Sequence, residues 1–209
     1  DHRDLHKEYR RQRQMCIRDR FGGFTFAKDS LALIDNLERA KTSFTDNKKF
    51  KEIILKDPKP LEKETNDPRH LLTRYEDTKF PMNKEFEKIL NHINGQFIYL
   101  HNKKLKLMSF WSHIHEKNMS TVVHSHLNKE DYEGNIYISG VYYVQVPEKS
   151  GYLVLLYPHN SHVTRKYPVM PKAGEFFLFP SPTDHYVTRN LSNDLRISVS
   201  FNFKVEEIK

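Results

Sequence analysis

The 209-residue chain has a single cysteine, Cys16, a single tryptophan, Trp111, and only seven glycines. One cysteine cannot close an intrachain disulfide, which excludes the disulfide-stapled secreted scaffolds and leaves stability to a packed core. Long apolar runs are also missing: the longest, Tyr152 to Tyr157 and Gly174 to Pro180, fall far short of the ~20 residues that a membrane-spanning helix needs. Residues 1–20 are charge-dense, with no apolar stretch leading to a small-residue cleavage site, so no secretory signal is read there. The expectation is a soluble, cytoplasmic protein with neither a membrane nor a disulfide partner. A strong charge bias is lacking too. The formal charge is +7, but residues 1–20 supply +3 of it, and elsewhere Lys and Arg are interspersed with Asp and Glu. This balance disfavours a nucleic-acid surface. Ser125 has no glycine-framed elbow around it, which argues against a nucleophilic hydrolase.

What is present falls into three parts. Within residues 1–20, Met15-Cys-Ile-Arg-Asp-Arg20 resembles a translated sequencing-adapter remnant at the edge of a metagenomic reading frame, and this stretch is expected to be a non-native or disordered leader. Residues 21–104 read as a helical part. One amphipathic helix opens at Asp29 or Ser30 and puts Leu33, Ile34 and Leu37 on one face. A second follows Pro81 with Asn83 as its cap and spaces Phe86, Ile89, Leu90, Ile93 and Phe97 at helical intervals. Between them, Asp57-Pro-Lys-Pro60 and Asn66-Asp-Pro68 mark a polar loop.

Residues 105–209 change to a period of two, rich in β-branched and aromatic side chains. Strands are expected at Leu105 to Ile114, Ser120 to His126, Ile136 to Val146, Tyr152 to Tyr157, Glu175 to Phe179, His185 to Thr188 and Leu195 to Val205. No helical pattern intervenes, so an antiparallel sandwich or jelly roll is favoured over a parallel α/β sheet. The last strand alternates Leu195, Ile197, Val199, Phe201 and Phe203 with Arg196, Ser198, Ser200, Asn202 and Lys204, giving one dry face and one polar face. A one-sided helix must cover something, and the two N-terminal helices are expected to brace the larger sheet.

Three histidines stand out as candidate metal ligands. His124 and His126 lie at i and i+2 at a strand end, where they point to one face; His185 follows an apolar strand and a Pro-rich turn. Eleven residues on, Arg196 shares the polar face of the last strand with Ser198. A buried arginine needs an anion, and a guanidinium fork with a hydroxyl beside it suits a carboxylate. His113 and His115 on the entry strand, and His159 and His162 in a later loop, are further candidates for the substrate pocket, His113 foremost because it shares a strand face with Trp111. Trp111, Tyr142, Tyr157 and Phe179 are expected to be core.

The order His124-Ser-His126, His185, Arg196-Ile-Ser198, together with Ser109-Phe-Trp111, Ser139-Gly-Val-Tyr-Tyr-Val144 and Pro171 to Pro180, resembles the 2-oxoglutarate and Fe(II)-dependent oxygenases, more closely the small ones of phage and bacterial genomes. The resemblance runs from about Ser109 to Phe203. It implies a double-stranded β-helix, with Fe(II) on His124, His126 and His185, and a hydroxylase reaction that consumes 2-oxoglutarate and O2. It also implies that Arg196 and Ser198 hold the far carboxylate of 2-oxoglutarate, and that Tyr143 rather than Tyr142 donates a hydroxyl to it. The usual second ligand is a carboxylate; here that position is His126, and Glu130 or Asp131 is the alternative source of one. His124-x-His126-x-x-x-Glu130 with Gly174 to Pro180 and His185 also approximates the cupin motifs, although Asn118 and Pro182 stand where those motifs have glycine. That likeness implies a 2-oxoglutarate-independent dioxygenase or isomerase with Glu130 as a fourth ligand. A non-catalytic β-sandwich binding module is the remaining alternative. The substrate stays open, with a small molecule or a protein side chain favoured over nucleic acid.

Overall fold

The computed structural model describes residues 46–56, 59–60, 76–126, 136–158 and 163–208. The leader, the helix expected from Asp29 or Ser30, and the turn at Asn66 to Pro68 lie outside the described residues. Helix α1, Asn47–Lys56, was not expected from the sequence. It is opened by Asp46, whose Oδ1 accepts the Lys49 N–H at 3.1 Å, and it buries Phe50 and Ile54, one turn apart. Helix α2, Lys84–His101, follows the sequence reading: Asn83 Oδ1 accepts the Glu85 and Phe86 N–H groups at 3.1 Å, and Phe86, Ile89, Ile93 and Phe97 are buried. It ends at Asn102, whose left-handed φ of 52° lets its N–H return to the Ile98 carbonyl at 2.9 Å.

The described residues form ten strands: β1 (Lys59–Pro60), β2 (Glu76–Lys79), β3 (Lys103–His115), β4 (Thr121–His124), β5 (Tyr137–Gln145), β6 (Leu153–Pro158), β7 (Thr164–Val169), β8 (Phe176–Pro180), β9 (His185–Val187) and β10 (Arg196–Glu207). They form two antiparallel sheets, β1-β2-β3-β10-β5-β8 and β4-β9-β6-β7, the jelly roll of a double-stranded β-helix. Seven of the strands were legible as alternating runs. The strand β7 was not, because it is an exposed edge carrying Arg165, Lys166 and Pro168, the residues that keep an edge from pairing further. Strands β1 and β2 lie within the stretch read as helical and extend the larger sheet.

Strand β10 runs between β3 and β5 and divides the molecule by its two faces. Ile197, Val199, Phe201 and Phe203 join Phe50, Ile54, Phe80, Phe86, Ile89, Ile93 and Phe97 in the main core, so α1 and α2 cover the outside of the larger sheet; of the two helices expected there, α2 alone lies among the described residues. Phe86 is its hub, with ring centroids 4.9 Å from Phe110 and 5.3 Å from Phe80. Gly140 is required here, because a Cβ at this position would run into the Phe201 ring and Leu178. Between the sheets the apolar cluster is smaller: Val141, Tyr143, Leu153, Leu155, Val169 and Phe179. Among the described residues no helix is long and apolar enough to cross a membrane.

Truncating Phe86 to Ala should destabilise the fold by ~3–5 kcal/mol, read by chemical denaturation, because a fully buried ring leaves a cavity that the neighbours cannot fill. A second expectation concerns Glu85, a buried carboxylate that bridges the helices through Lys88 (3.1 Å) and Lys49 (3.3 Å). The Lys88 hydrogen bond, opposed by burial and helped by Lys49, holds its pKa below the ordinary carboxyl value. Its contribution is therefore complete above the ordinary carboxyl range and is lost as pH falls through the lowered folded-state pKa. Glu85→Gln should lower Tm at neutral pH, and the gap to wild type should close on acidification; a gap that persists at low pH would contradict this.

Candidate active site

The larger sheet delivers a polar ladder to the space between the sheets. Pairing of β10 with β3 sets Arg196 opposite His115, Ser198 opposite His113, Ser200 opposite Trp111 and Asn202 opposite Ser109. The smaller sheet supplies the histidines: His124 ends β4 directly across from His185 at the start of β9, and His126 follows two residues on, tied to the turn after β8 by its N–H on the Ser181 carbonyl at 3.1 Å. His113, Thr121, His124, His126, His185, Arg196, Ser198 and Ser200 line one cavity, together with apolar residues that include Phe179.

The three histidines meet. Their ring nitrogens lie within 4.8 Å of one another, with His124 Nε2 3.1 Å from His126 Nε2. Each ring is oriented through Nδ1: His124 on the Val122 carbonyl at 2.9 Å, His185 on the Thr183 carbonyl at 2.8 Å, and His126 on Asn202 Oδ1 at 2.9 Å. A carbonyl accepts only, so each Nδ1 donates and each Nε2 becomes the lone-pair nitrogen aimed at the common centre. Three lone pairs so placed repel one another and suit a cation, and outer hydrogen bonds of this type are what fix ligand tautomers around a metal. Burial, then His124 and His126, pushes the His185 pKa well down, which keeps that ring in the neutral form a metal requires. The residues present thus fit a divalent metal. Ser125, between two of them, is exposed. Glu130, Asp131, His159 and His162 lie outside the described residues.

Arg196 is buried to 1% exposure. Among the described residues it has no ion-pair partner: Nη1 donates to His115 Nδ1 at 3.3 Å, the guanidinium lies 5.6 Å from the Tyr143 ring centre, and Nε has no hydrogen-bond partner. Burial lowers its pKa, offset by Tyr143, yet a guanidinium stays protonated. A buried cation without a counter-charge is costly, so the cavity is suited to an anion. Ser198 is buried beside it. Tyr143 faces the space between the sheets, whereas Tyr142 faces the helices and hydrogen-bonds Asn47 of α1. Trp111, expected in the core, is instead half-buried next to His126 at 5.3 Å and donates its indole N–H to His113 at 3.0 Å.

Residues not singled out for a role also shape the site. Asn202 receives the Ser139 hydroxyl at 2.8 Å as well as His126, and donates to Ser109 at 3.1 Å. Ser200 contacts His113 at 2.9 Å, and Thr121 contacts His115 at 3.3 Å. The polar alternation of β10 was the available signal for Ser200 and Asn202; nothing local marks Thr121.

The geometry has counterparts among known proteins. Residues 109–202, a little under half of the chain, match the model of the family described as "Putative 2OG-Fe(II) oxygenase". No curated protein matches the chain in sequence. Similar solved structures include a prolyl hydroxylase from Trichoplax adhaerens in complex with a hypoxia inducible factor peptide fragment (TM-score 0.59, 10% identity, 86% of this chain and 90% of that one). Another is HygX from Streptomyces hygroscopicus with nickel, 2-oxoglutarate and hygromycin B bound (0.57, 12%, 84% and 86%). A third is the non-heme alpha ketoglutarate dependent carbocyclase SnoK from nogalamycin biosynthesis (0.56, 15%, 85% and 83%). The fold is the one these oxygenases share, and the family matched over residues 109–202 is one whose chemistry uses Fe(II), 2-oxoglutarate and O2.

Replacing Asn202 by Ala should weaken metal binding about 10- to 100-fold, the usual effect of losing an outer partner of a ligating histidine. Titration of the metal-free protein with Fe(II) or Co(II) reads this directly, and an unchanged affinity would show that Asn202 does not orient His126.

Proposed function

We propose that the chain hydroxylates a small molecule or a protein side chain in the cytoplasm, with His124, His126 and His185 holding Fe(II) through Nε2 and Arg196 holding 2-oxoglutarate. One observation carries the reading: three histidine nitrogens aimed at one point share a cavity with a buried guanidinium that has no counter-charge among the described residues. Fe(II), when bound, supplies the chemistry that couples decarboxylation of 2-oxoglutarate to succinate with oxidation of the substrate by O2. The protein's part is positional. Arg196 and Ser198 grip the far carboxylate, and Tyr143 flanks the guanidinium on the other side. The neutral, buried His185 stays available as a ligand, and the apolar wall at Phe179, 4.7 Å from the His185 ring, keeps water from that side of the centre. Half-buried Trp111 and His113 border the remaining side and are placed to meet the substrate. Solved structures of similar fold hold a hypoxia inducible factor peptide fragment in one case and hygromycin B in another, so both substrate classes are compatible with this architecture. A reducing compartment is supported by the lone cysteine.

Anaerobic addition of Fe(II) and then 2-oxoglutarate to the metal-free protein tests the reading. A visible charge-transfer band should appear only with both, vanish in His124→Ala and His185→Ala, and need at least tenfold more 2-oxoglutarate in Arg196→Ala. A tightly held metal with no such band would favour the cupin-like alternative, and failure to bind metal would remove the proposed catalytic site.

A further inference from the structure

Arg196 carries a full charge in a buried site, and among the described residues the side chain that hydrogen-bonds it is the neutral imidazole of His115. His115 is itself completely buried, opposite Arg196 in the register of β3 and β10. Its two nitrogens are committed in opposite senses. Nδ1 lies 3.3 Å from Arg196 Nη1, which can only donate, so Nδ1 holds the lone pair. Nε2 then carries the proton and donates to Thr121 Oγ1 at 3.3 Å. The His115 carbonyl accepts from Asn190 Nδ2 at 2.9 Å, which anchors the backbone at this end of β3. Burial, with Arg196 and His113 nearby, pushes the His115 pKa well down and favours the same neutral form.

We propose that His115 is a positioning residue for the anion site: it fixes the Arg196 guanidinium through a neutral acceptor, so that the cation is oriented without being neutralised and its charge remains for the carboxylate of 2-oxoglutarate. The usual partner of a buried arginine is a carboxylate, which would bind the fork bidentately and occupy the site from within. An imidazole nitrogen takes one N–H and leaves the rest of the fork available. Thr121, from the smaller sheet, accepts the Nε2 proton that this tautomer carries, so residues of both sheets contribute to the arrangement. This inference rests on the reading of Arg196 as the 2-oxoglutarate clamp.

The test measures the dissociation constant of 2-oxoglutarate from the anaerobic charge-transfer titration of Fe(II)-loaded protein, beside thermal unfolding and Fe(II) affinity of the metal-free protein. Asn offers an oxygen where His115 has Nδ1, so His115→Asn should stay within about threefold of wild type. His115→Leu should weaken 2-oxoglutarate roughly tenfold, as expected for losing one hydrogen bond to a charged group. His115→Asp should weaken it at least 100-fold, because the new carboxylate pairs with Arg196 and repels the ligand, while Fe(II) affinity and Tm are kept. Should Leu fail to fold, Asn against Asp still decides, since the two differ in charge and hardly in shape. Equal affinities for Asn and Asp would overturn the role of His115 while leaving the clamp intact. An unchanged affinity in Arg196→Ala would instead overturn the clamp itself, and the role of His115 with it.

Discussion

Burying a guanidinium and a group of imidazoles between two sheets dictates how the rest of this protein is built. In an ordinary sandwich the facing sheets supply the core, but here the inner face of β10 is Arg196, Ser198, Ser200 and Asn202, and the inner face of β3 is Trp111, His113 and His115. Such a surface cannot drive association by removing apolar area from water. The main core is accordingly on the other side of the larger sheet, where α1 and α2 press Phe50, Phe86, Ile89, Ile93 and Phe97 onto Ile197, Val199, Phe201 and Phe203. The helices are therefore what stabilises the sheet that carries Arg196. Between the sheets, the residual apolar cluster around Leu153, Leu155, Val169 and Phe179 is enough to seat the smaller sheet beside the polar ladder.

The strict alternation of β10 made much of this legible in advance. An apolar and a polar residue in turn from Leu195 to Lys204 means two faces of opposite character, and a central strand with two such faces places a core on one side and a site on the other. The same rule separated Tyr143 from Tyr142 and joined Trp111 to His113. Helical spacing did as much for α2. Three things were not legible, for physical reasons. Helix α1 has only Phe50, Ile53, Ile54 and Leu55 as apolar residues among lysines, and its helical state depends on the sheet beneath it. Strand β7 reads as loop because an edge is selected against looking like a strand. Trp111 was expected in the core because a strand pattern tells which face a residue lies on but not whether that face is packed or open.

Contacts between distant segments are the other limit. His126 is oriented by Asn202, 76 residues away, and Arg196 by His115, 81 residues away. Each partner had a visible type and face, yet the pairing follows from strand order, which the sequence does not spell out. Once β3 is set beside β10, the Arg196 and His115 pairing becomes a register consequence, whereas Asn202 meets His126 only because the smaller sheet faces that side of β10. The site is legible as an inventory and becomes a mechanism only through topology.

Charge balance gives the arrangement its direction. Among the described residues the cavity is lined by three histidine ligand candidates, one buried arginine, one further imidazole, His113, and no carboxylate. With His126 where the common pattern has an acid, the protein contributes no negative charge at the metal from these residues, and Arg196 adds a positive one. Both centres therefore call for anions, and 2-oxoglutarate carries two carboxylates at opposite ends of a short chain. One ligand neutralises both sites only if the guanidinium is held where the second carboxylate arrives, which is why a neutral partner for Arg196 matters more here than in a site whose metal already has an acidic ligand. An acid at position 115 would satisfy the arginine locally and leave the metal end unbalanced. On the proposed reading, the imidazole leaves the imbalance in place until the dianion binds, and affinity for the cosubstrate would be set by charges that the described residues do not compensate.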